Sequence, residues 1–145
     1  MKIIRFLIFF VALLCALVFY LNSLPPLLNL SIKGHALLCE IADTPKKREL
    51  GLMYRDSLGE NAGMLFIYPN EEQRTFHMPH VKIPLSIVFA NREGIIVHMT
   101  EMIVDETTTY PSEKEAMYAL EANKGWFTAH QIAVGDKIEG IISQQ

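Results

Sequence analysis

A cluster of imidazole and thioether side chains is the clearest sign of chemistry in this sequence. His77-Met78-Pro79-His80 places a methionine between two histidines, and Met99 adds another soft donor further along the chain. Imidazole suits both copper and zinc, and thioether sulfur suits copper. Residues 77 and 80 would face opposite ways in an extended strand, so a shared metal needs a turn at Pro79. The sequence requires no cofactor, but it supports a hypothesis of copper or zinc bound by His77, His80, Met78 and Met99.

Two arginines on either side of Gly51, Arg48 and Arg55, are candidates for binding a carboxylate. The planar guanidinium group donates paired hydrogen bonds that match a carboxylate. The alternative is a set of surface ion pairs, which contribute little to stability. We expect any ligand cleft to lie where Arg48, Arg55 and residues 77–84 meet, because loops on a rigid scaffold often carry function.

Support for nucleophilic catalysis is thin. The sequence has no Gly-x-Ser-x-Gly elbow, and Cys39 has no histidine beside it in the chain. Cys39 lies in an apolar segment and is expected to be a small buried side chain. We therefore favour a role other than catalysis.

Charge and composition narrow the class of partner. Lys2 and Arg5 belong to the N-terminal apolar region, and removing them from the 13 Lys and Arg leaves 11 against 16 Asp and Glu. The rest of the chain thus carries a net charge near −5, which argues against a nucleic-acid partner. Two cysteines cannot form a disulfide framework.

Residues 1–27 are typical of a signal anchor followed by a Pro-Pro linker. A helix over residues 3–21 would cover about 28 Å, close to the ~30 Å hydrocarbon core of a bilayer. The basic residues at its start place the N-terminus inside and residues 28–145 outside the cytoplasm, periplasmic or extracellular. Leu21 is too bulky for a good signal-peptidase site, so we expect an uncleaved membrane anchor, with secretion after cleavage as the alternative.

The remainder of the chain alternates short apolar segments with turn signals. Lys33-Gly34 predicts a hairpin turn, and Thr44 with Pro45 predicts the start of a short helix. Residues 112–122 fit either a helix or a strand. Strands are predicted at 28–32, 36–42, 64–68, 75–78, 85–90, 95–100 and 136–142. This pattern favours a single mostly β, α+β domain, a small antiparallel barrel or sandwich with one or two short helices, preceded by the N-terminal apolar helix.

Three apolar motifs resemble those of a known family. They are Gly51-Leu52-Met53, Gly63-Met64-Leu65-Phe66 and Ile83-Pro84-Leu85. With these motifs, residues 31–142 resemble the microbial domain-of-unknown-function family 192. The resemblance implies a small mostly β domain, often exported, and implies no reaction. The family pattern continues with Trp-Met-Lys-Asn-Thr and with Asp after Ile-Pro-Leu, whereas this chain has residues 77–81 and Ser86 at those places.

These observations favour an extracytoplasmic, membrane-anchored domain that acts as a binding or accessory module for an unidentified protein or small molecule. Its cleft candidates are Arg48, Arg55, His77, His80 and Ser86. One alternative is a periplasmic copper- or zinc-binding protein that uses His77 and His80. Another is a hydrolase or transferase with a cleft near Arg48, Arg55 and His77.

Overall fold

The computed structural model describes residues 2–23 and 26–141 of the chain, with side chains from residues 5–20 and 26–141. In these residues the elements follow one another as α1 (Lys2–Ser23), β1 (Leu27–Ile32), β2 (His35–Ala42), α2 (Pro45–Leu50), β3 (Ala62–His77), β4 (Leu85–Ala90), β5 (Ile96–Met102), β6 (Thr109–Asn123), α3 (Trp126–Ala129) and β7 (Ile138–Glu139). The mostly β, α+β class predicted from the sequence is confirmed.

The N-terminal segment is the helix α1, but it does not meet the expectation of a membrane span. Within the described residues, no helix combines the length and the apolar character that crossing a bilayer requires. The predicted membrane anchor over residues 3–21 is therefore not confirmed. Pro25 of the predicted linker and residues 142–145 lie outside the described part of the chain.

The β-strands form one curled sheet of half-barrel shape. Its order is β5-β4-β6-β3-β2-β1-β7, and every pair is antiparallel except β2 with β3, which run parallel. The two edges approach each other, because Ile95 beside β5 forms a bridge with Lys137 beside β7. The long strands β3 and β6 lie next to each other near the middle of the sheet and carry the site described below.

Local signals account for the first hairpin and the first short helix. Lys33 and Gly34 both have positive φ, 52° and 81°, as a two-residue hairpin turn between β1 and β2 requires. The Thr44 Oγ1 accepts a hydrogen bond from the Lys47 backbone N–H at 3.3 Å and caps the start of α2. Both predictions are confirmed.

Several predicted strand boundaries differ from the structure; the last strand, predicted at 136–142, is limited to β7 (Ile138–Glu139). Residues 64–68 and 75–78 were expected as separate strands with a stop at Pro69, yet β3 runs through this proline. A register irregularity between Ile67 and Glu72 interrupts the pairing with β6, so no ladder hydrogen bond is needed from the proline nitrogen. The ambiguous residues 112–122 belong to strand β6, since β3 and β4 pair with it on both sides.

The sheet separates two hydrophobic cores. Leu65, Leu120 and Val88 lie side by side on adjacent strands and belong to one core. The next positions along the same strands, Phe66, Ala119 and Phe89, belong to the other. This alternation is the period of two expected of a strand buried on both faces. Cys39 is fully buried in the first core, and burial raises the pKa of its thiol to about 12.

Candidate functional site

A cavity of about 350 Å³ opens on the second core, between α2 with its following loop and the end of β3. Its wall contains Phe66 and Phe76, whose rings meet edge to face at 4.9 Å between centroids. Gly51 lies against this wall: its φ is +46°, and a Cβ there would sit 3.4 Å from the Phe66 ring. The positive φ of this turn after α2 favours glycine, whereas the ring distance would be an ordinary contact for a Cβ.

Glu121 of β6 lines the cavity, and it is a charged residue buried within the sheet. It lies between Met64 on β3 and Ile87 on β4, and only 6% of its surface is exposed. In the described part of the chain, the Glu121 carboxyl group makes no hydrogen bond and no ion pair. In the same residues, every side-chain polar atom that is fully enclosed has a hydrogen-bond partner, so the Glu121 oxygens are not fully enclosed. The carboxyl oxygens are therefore open to the cavity. Burial raises the pKa of Glu121 to about 8.

Arg48 lies at the boundary between this cavity and a neighbouring one of about 580 Å³. Its Nη1 donates hydrogen bonds to the Asp43 carbonyl at 2.8 Å and to the Ile67 carbonyl at 2.7 Å. Its guanidinium carbon also lies 4.9 Å from the Tyr68 ring centroid, and that of Arg74 lies 4.0 Å from it. Arg48 thus ties α2 to β3 at the edge of the cavity.

Arg55 lies elsewhere. It forms a two-pronged ion pair with Glu40 of β2, one branch of which is the 2.9 Å hydrogen bond from Nη2 to Oε2. The hydrogen bond from Arg55 lowers the pKa of Glu40. Arg55 does not line the cavity that Arg48 borders. The structure therefore separates the two arginines that the sequence placed in one cleft.

His77 and His80 both border the cavity, and both are exposed. The His80 ring stacks on Tyr54 with 5.2 Å between centroids, and its Nδ1 lies 3.5 Å from the Glu106 carboxylate. His80 has a positive φ of 56°, so the chain does turn after Pro79. The structure thus places both histidines at the edge of the cavity, and their role in a ligand cleft stays a prediction.

The methionine candidates do not join these histidines as a set. Met78 is buried in the second core and lines the cavity, whereas Met99 on β5 packs against the first core. Among the residues that the structure describes, no three His, Cys, Asp or Glu side chains are grouped so that they could hold a metal. A copper or zinc site at His77 and His80 stays a prediction.

Ser86, the remaining cleft candidate, is buried away from the cavity. Its Oγ donates to the Glu101 carboxylate at 2.8 Å and accepts from the Gly125 backbone N–H at 2.8 Å. Ser86 therefore joins β4 to β5 and to the start of α3. Both hydrogen bonds are within the protein, which is typical of a structural residue.

Comparison with known proteins places the chain. A family model, DUF192, described as an uncharacterized ACR, matches residues 28–140. The chain belongs to the DUF192 family. None of the curated proteins compared with it is a significant match.

Two solved structures share the fold of this DUF192 domain. A candidate transcription regulator from Sinorhizobium meliloti 1021 is 27% identical, with a TM-score of 0.77 over 80% of this chain and 95% of that one. A protein of unknown function from Novosphingobium aromaticivorans DSM 12444 is 28% identical, with a TM-score of 0.76 over 81% of this chain and 87% of that one.

Reasoning from the sequence of this DUF192 domain missed Glu121 as a site residue. One signal was present: Glu121 is the charged residue within the otherwise apolar run 116–122. A charge in such a run is rare unless it is paired or functional. Identifying the cavity above it required the pairing of β6 with β3, which brings Glu121 beside Met64.

Proposed function

We propose that this DUF192 domain is a binding module that takes a small ligand in the cavity above Glu121. The observation that carries the proposal is an unpartnered carboxyl group, 6% exposed, that opens into the cavity. Leaving a buried polar group without a hydrogen bond costs about 1–3 kcal/mol. A ligand that bonds to this group recovers that cost, so the arrangement favours binding at this point.

The size and lining of the cavity support the same conclusion. Its volume of about 350 Å³ falls in the range of small-molecule sites, roughly 300–1,000 Å³. Such sites are mostly apolar with a few polar groups that orient the ligand. Here Phe66, Phe76 and Met78 form an apolar wall, and Glu121 is the buried charged residue beside it.

Co-purification tests this proposal. The full chain is purified under native conditions, denatured, and the released small molecules are identified by mass spectrometry. Thr75 is exposed and lines the cavity, so a tryptophan in the Thr75→Trp variant should take up part of the cavity volume. Gln73, exposed two residues earlier on β3, is not among the cavity residues and provides the matched control Gln73→Trp.

A molecule bound in the cavity is expected in stoichiometric amount with the wild-type and Gln73→Trp proteins, and strongly reduced with Thr75→Trp. Equal recovery from all three proteins would show that the molecule binds elsewhere. Circular dichroism of the three proteins checks that the tryptophans leave the fold intact.

A catalytic role for Glu121 is the second candidate, because a carboxyl group with raised pKa in a cleft is also typical of a general acid. This candidate revises the hydrolase or transferase hypothesis, since Arg55 lies outside the cavity. It is tested by assaying turnover of any molecule found in the co-purification experiment. Turnover by the wild type that Glu121→Gln abolishes, while binding persists, would favour catalysis over simple binding.

Location outside the cytoplasm is a separate proposal that rests on the sequence alone. It is supported by Lys2 and Arg5 before and within the apolar run of α1. Cell fractionation with a reporter fused after residue 141 tests it. Recovery of the intact fusion only with cytoplasmic markers would contradict it.

A further inference from the structure

The charges around the cavity favour a cationic ligand group over an anionic one. Glu121 faces the cavity, and Glu49 on α2 lines it as well. Arg48 is the arginine at its edge, and its Nη1 is already bonded to two backbone carbonyls. In the described residues no ion pair reaches Glu121, so this carboxyl group has no counter-ion within the domain.

The aromatic lining suits a cation for a second, independent reason. The face of an aromatic ring attracts an ammonium or guanidinium group within about 6 Å of the centroid. Tyr68 already makes such contacts with Arg48 at 4.9 Å and Arg74 at 4.0 Å. Phe66 and Phe76 form the wall beside Glu121, and Tyr68 lines the same cavity. An ammonium group there would lie between a carboxylate and an aromatic wall.

We propose that the ligand carries an organic ammonium group, which enters the aromatic cavity and pairs with the Glu121 carboxylate. This inference rests on the proposed binding function and names its ligand class. The ammonium group belongs either to a free amine or to a lysine side chain of a partner peptide. The chemistry at Glu121 is the same for both sources.

Binding of a cation is then coupled to ionisation of Glu121. The charged or titratable groups that line the same cavity are Arg48 and Glu49 from α2, Tyr68 and His77 from β3, and His80 from the following loop; the β4 neighbour, Ile87, is apolar. Since burial raises the pKa of Glu121 to about 8, about one molecule in eleven is ionised at pH 7 and about ten in eleven at pH 9. Affinity for a permanently charged ligand should therefore rise about tenfold between pH 7 and pH 9.

Calorimetric titration of the full chain tests this with two probes of matched shape. Choline carries a permanent quaternary ammonium, and 3,3-dimethylbutan-1-ol is its neutral carbon isostere. We expect choline to bind about tenfold more tightly at pH 9 than at pH 7, and the alcohol to bind more weakly at both. Butylammonium and a capped lysine peptide, titrated at pH 7, distinguish a free amine from a lysine side chain.

Two variants assign the effect to Glu121. Glu121→Gln keeps the shape of the protonated side chain but cannot ionise, so choline affinity should fall at least tenfold at pH 9 and lose its pH dependence. The double variant His77→Ala/His80→Ala should keep the rise between pH 7 and pH 9. Carbon-13 NMR of the Glu121 carboxyl provides a direct measurement: choline should lower its titration midpoint.

Three results would overturn the ammonium proposal. If choline and the alcohol bind equally, and Thr75→Trp weakens both, the ligand class is wrong while the binding function stands. If the rise with pH persists in Glu121→Gln, another group is responsible. If no ammonium probe binds at millimolar concentration or shifts the Glu121 titration, the class is wrong, and the co-purification experiment decides the binding function separately.

Discussion

Replacing Glu121 by glutamine should stabilise the folded domain at neutral pH. Burial raises the pKa of Glu121 in the folded state from 4.5 to about 8. Between these pH values the folded state binds one proton more than the unfolded state does, so stability falls as pH rises. The fall is about 1.4 kcal/mol per pH unit, which amounts to about 3 kcal/mol by pH 7. Glutamine does not titrate and avoids this loss.

Urea unfolding of wild type and Glu121→Gln at pH 4, 5.5, 7 and 9 measures the effect. The difference in unfolding free energy should be small at pH 4, reach about 3 kcal/mol at pH 7 and level off above pH 8. Glu49→Gln is the control, because Glu49 borders the same cavity with an exposed side chain. Its effect should stay within about 0.5 kcal/mol at every pH.

A Glu121→Gln protein no more stable than wild type at pH 7 would contradict the expected cost of ionising Glu121 in the folded state. A gain of equal size at pH 4 and pH 7 would refute it too, because that gain could not come from ionisation. A stabilising substitution at a cavity residue is also the pattern expected of a functional site, where binding is favoured at the expense of stability.

Three further predictions follow from the same contacts. Phe66→Ala should lower the unfolding free energy by about 3–5 kcal/mol, since the ring is 2% exposed; a change below about 1 kcal/mol in urea unfolding would mean that the wall is not packed as described. Arg55→Met removes the partner of half-buried Glu40; the lowered pKa of Glu40 reflects an ion pair that stabilises the fold at pH values above the unfolded pKa. The unfolding free energy should fall by about 1 kcal/mol at pH 7, and this loss should disappear as the pH falls below 4. A loss independent of pH would point to packing instead. Cys39, with a thiol pKa near 12, should resist alkylation by iodoacetamide at pH 8 until the protein is unfolded in urea; rapid reaction in the native protein would contradict its burial.

Local features of the fold could be read from the sequence because they depend on neighbours in the chain. The turn at Lys33-Gly34 and the cap at Thr44 need only a few residues each. Strand β6 could not be assigned in this way, because Ser112, three residues before Glu115, is also typical of a helix start and competes with a preference for strand. In the structure the Ser112 Oγ instead accepts from the Arg74 backbone N–H at 2.9 Å, a contact across strands. Pairing with β3 and β4 decides the outcome.

The candidate site was predictable only in part for the same reason. The sequence predicts a cleft where Arg48, Arg55 and residues 77–84 meet. The structure places Arg48 and His80 at the cavity and Arg55 away from it. Glu121 joins Arg48 and His80 only because β6 pairs with β3. This pairing places Glu121 beside Met64, which is 57 residues earlier in the chain. Ser86 was misplaced because it lies on the opposite face of its strand from Ile87, which packs in the second core.

The bridge between Ile95 and Lys137 has a consequence for the order of folding. It joins the two edges of a sheet whose β7 pairs with β1, so the last strand contacts the first. Both edges carry backbone groups that remain unpaired until residues 137–139 arrive, and unpaired edges promote association between chains. Because these contacts span nearly the whole domain, folding should be slow for its size. A chain that ends before Lys137 would therefore leave both edges of the sheet unpaired and would be prone to aggregate.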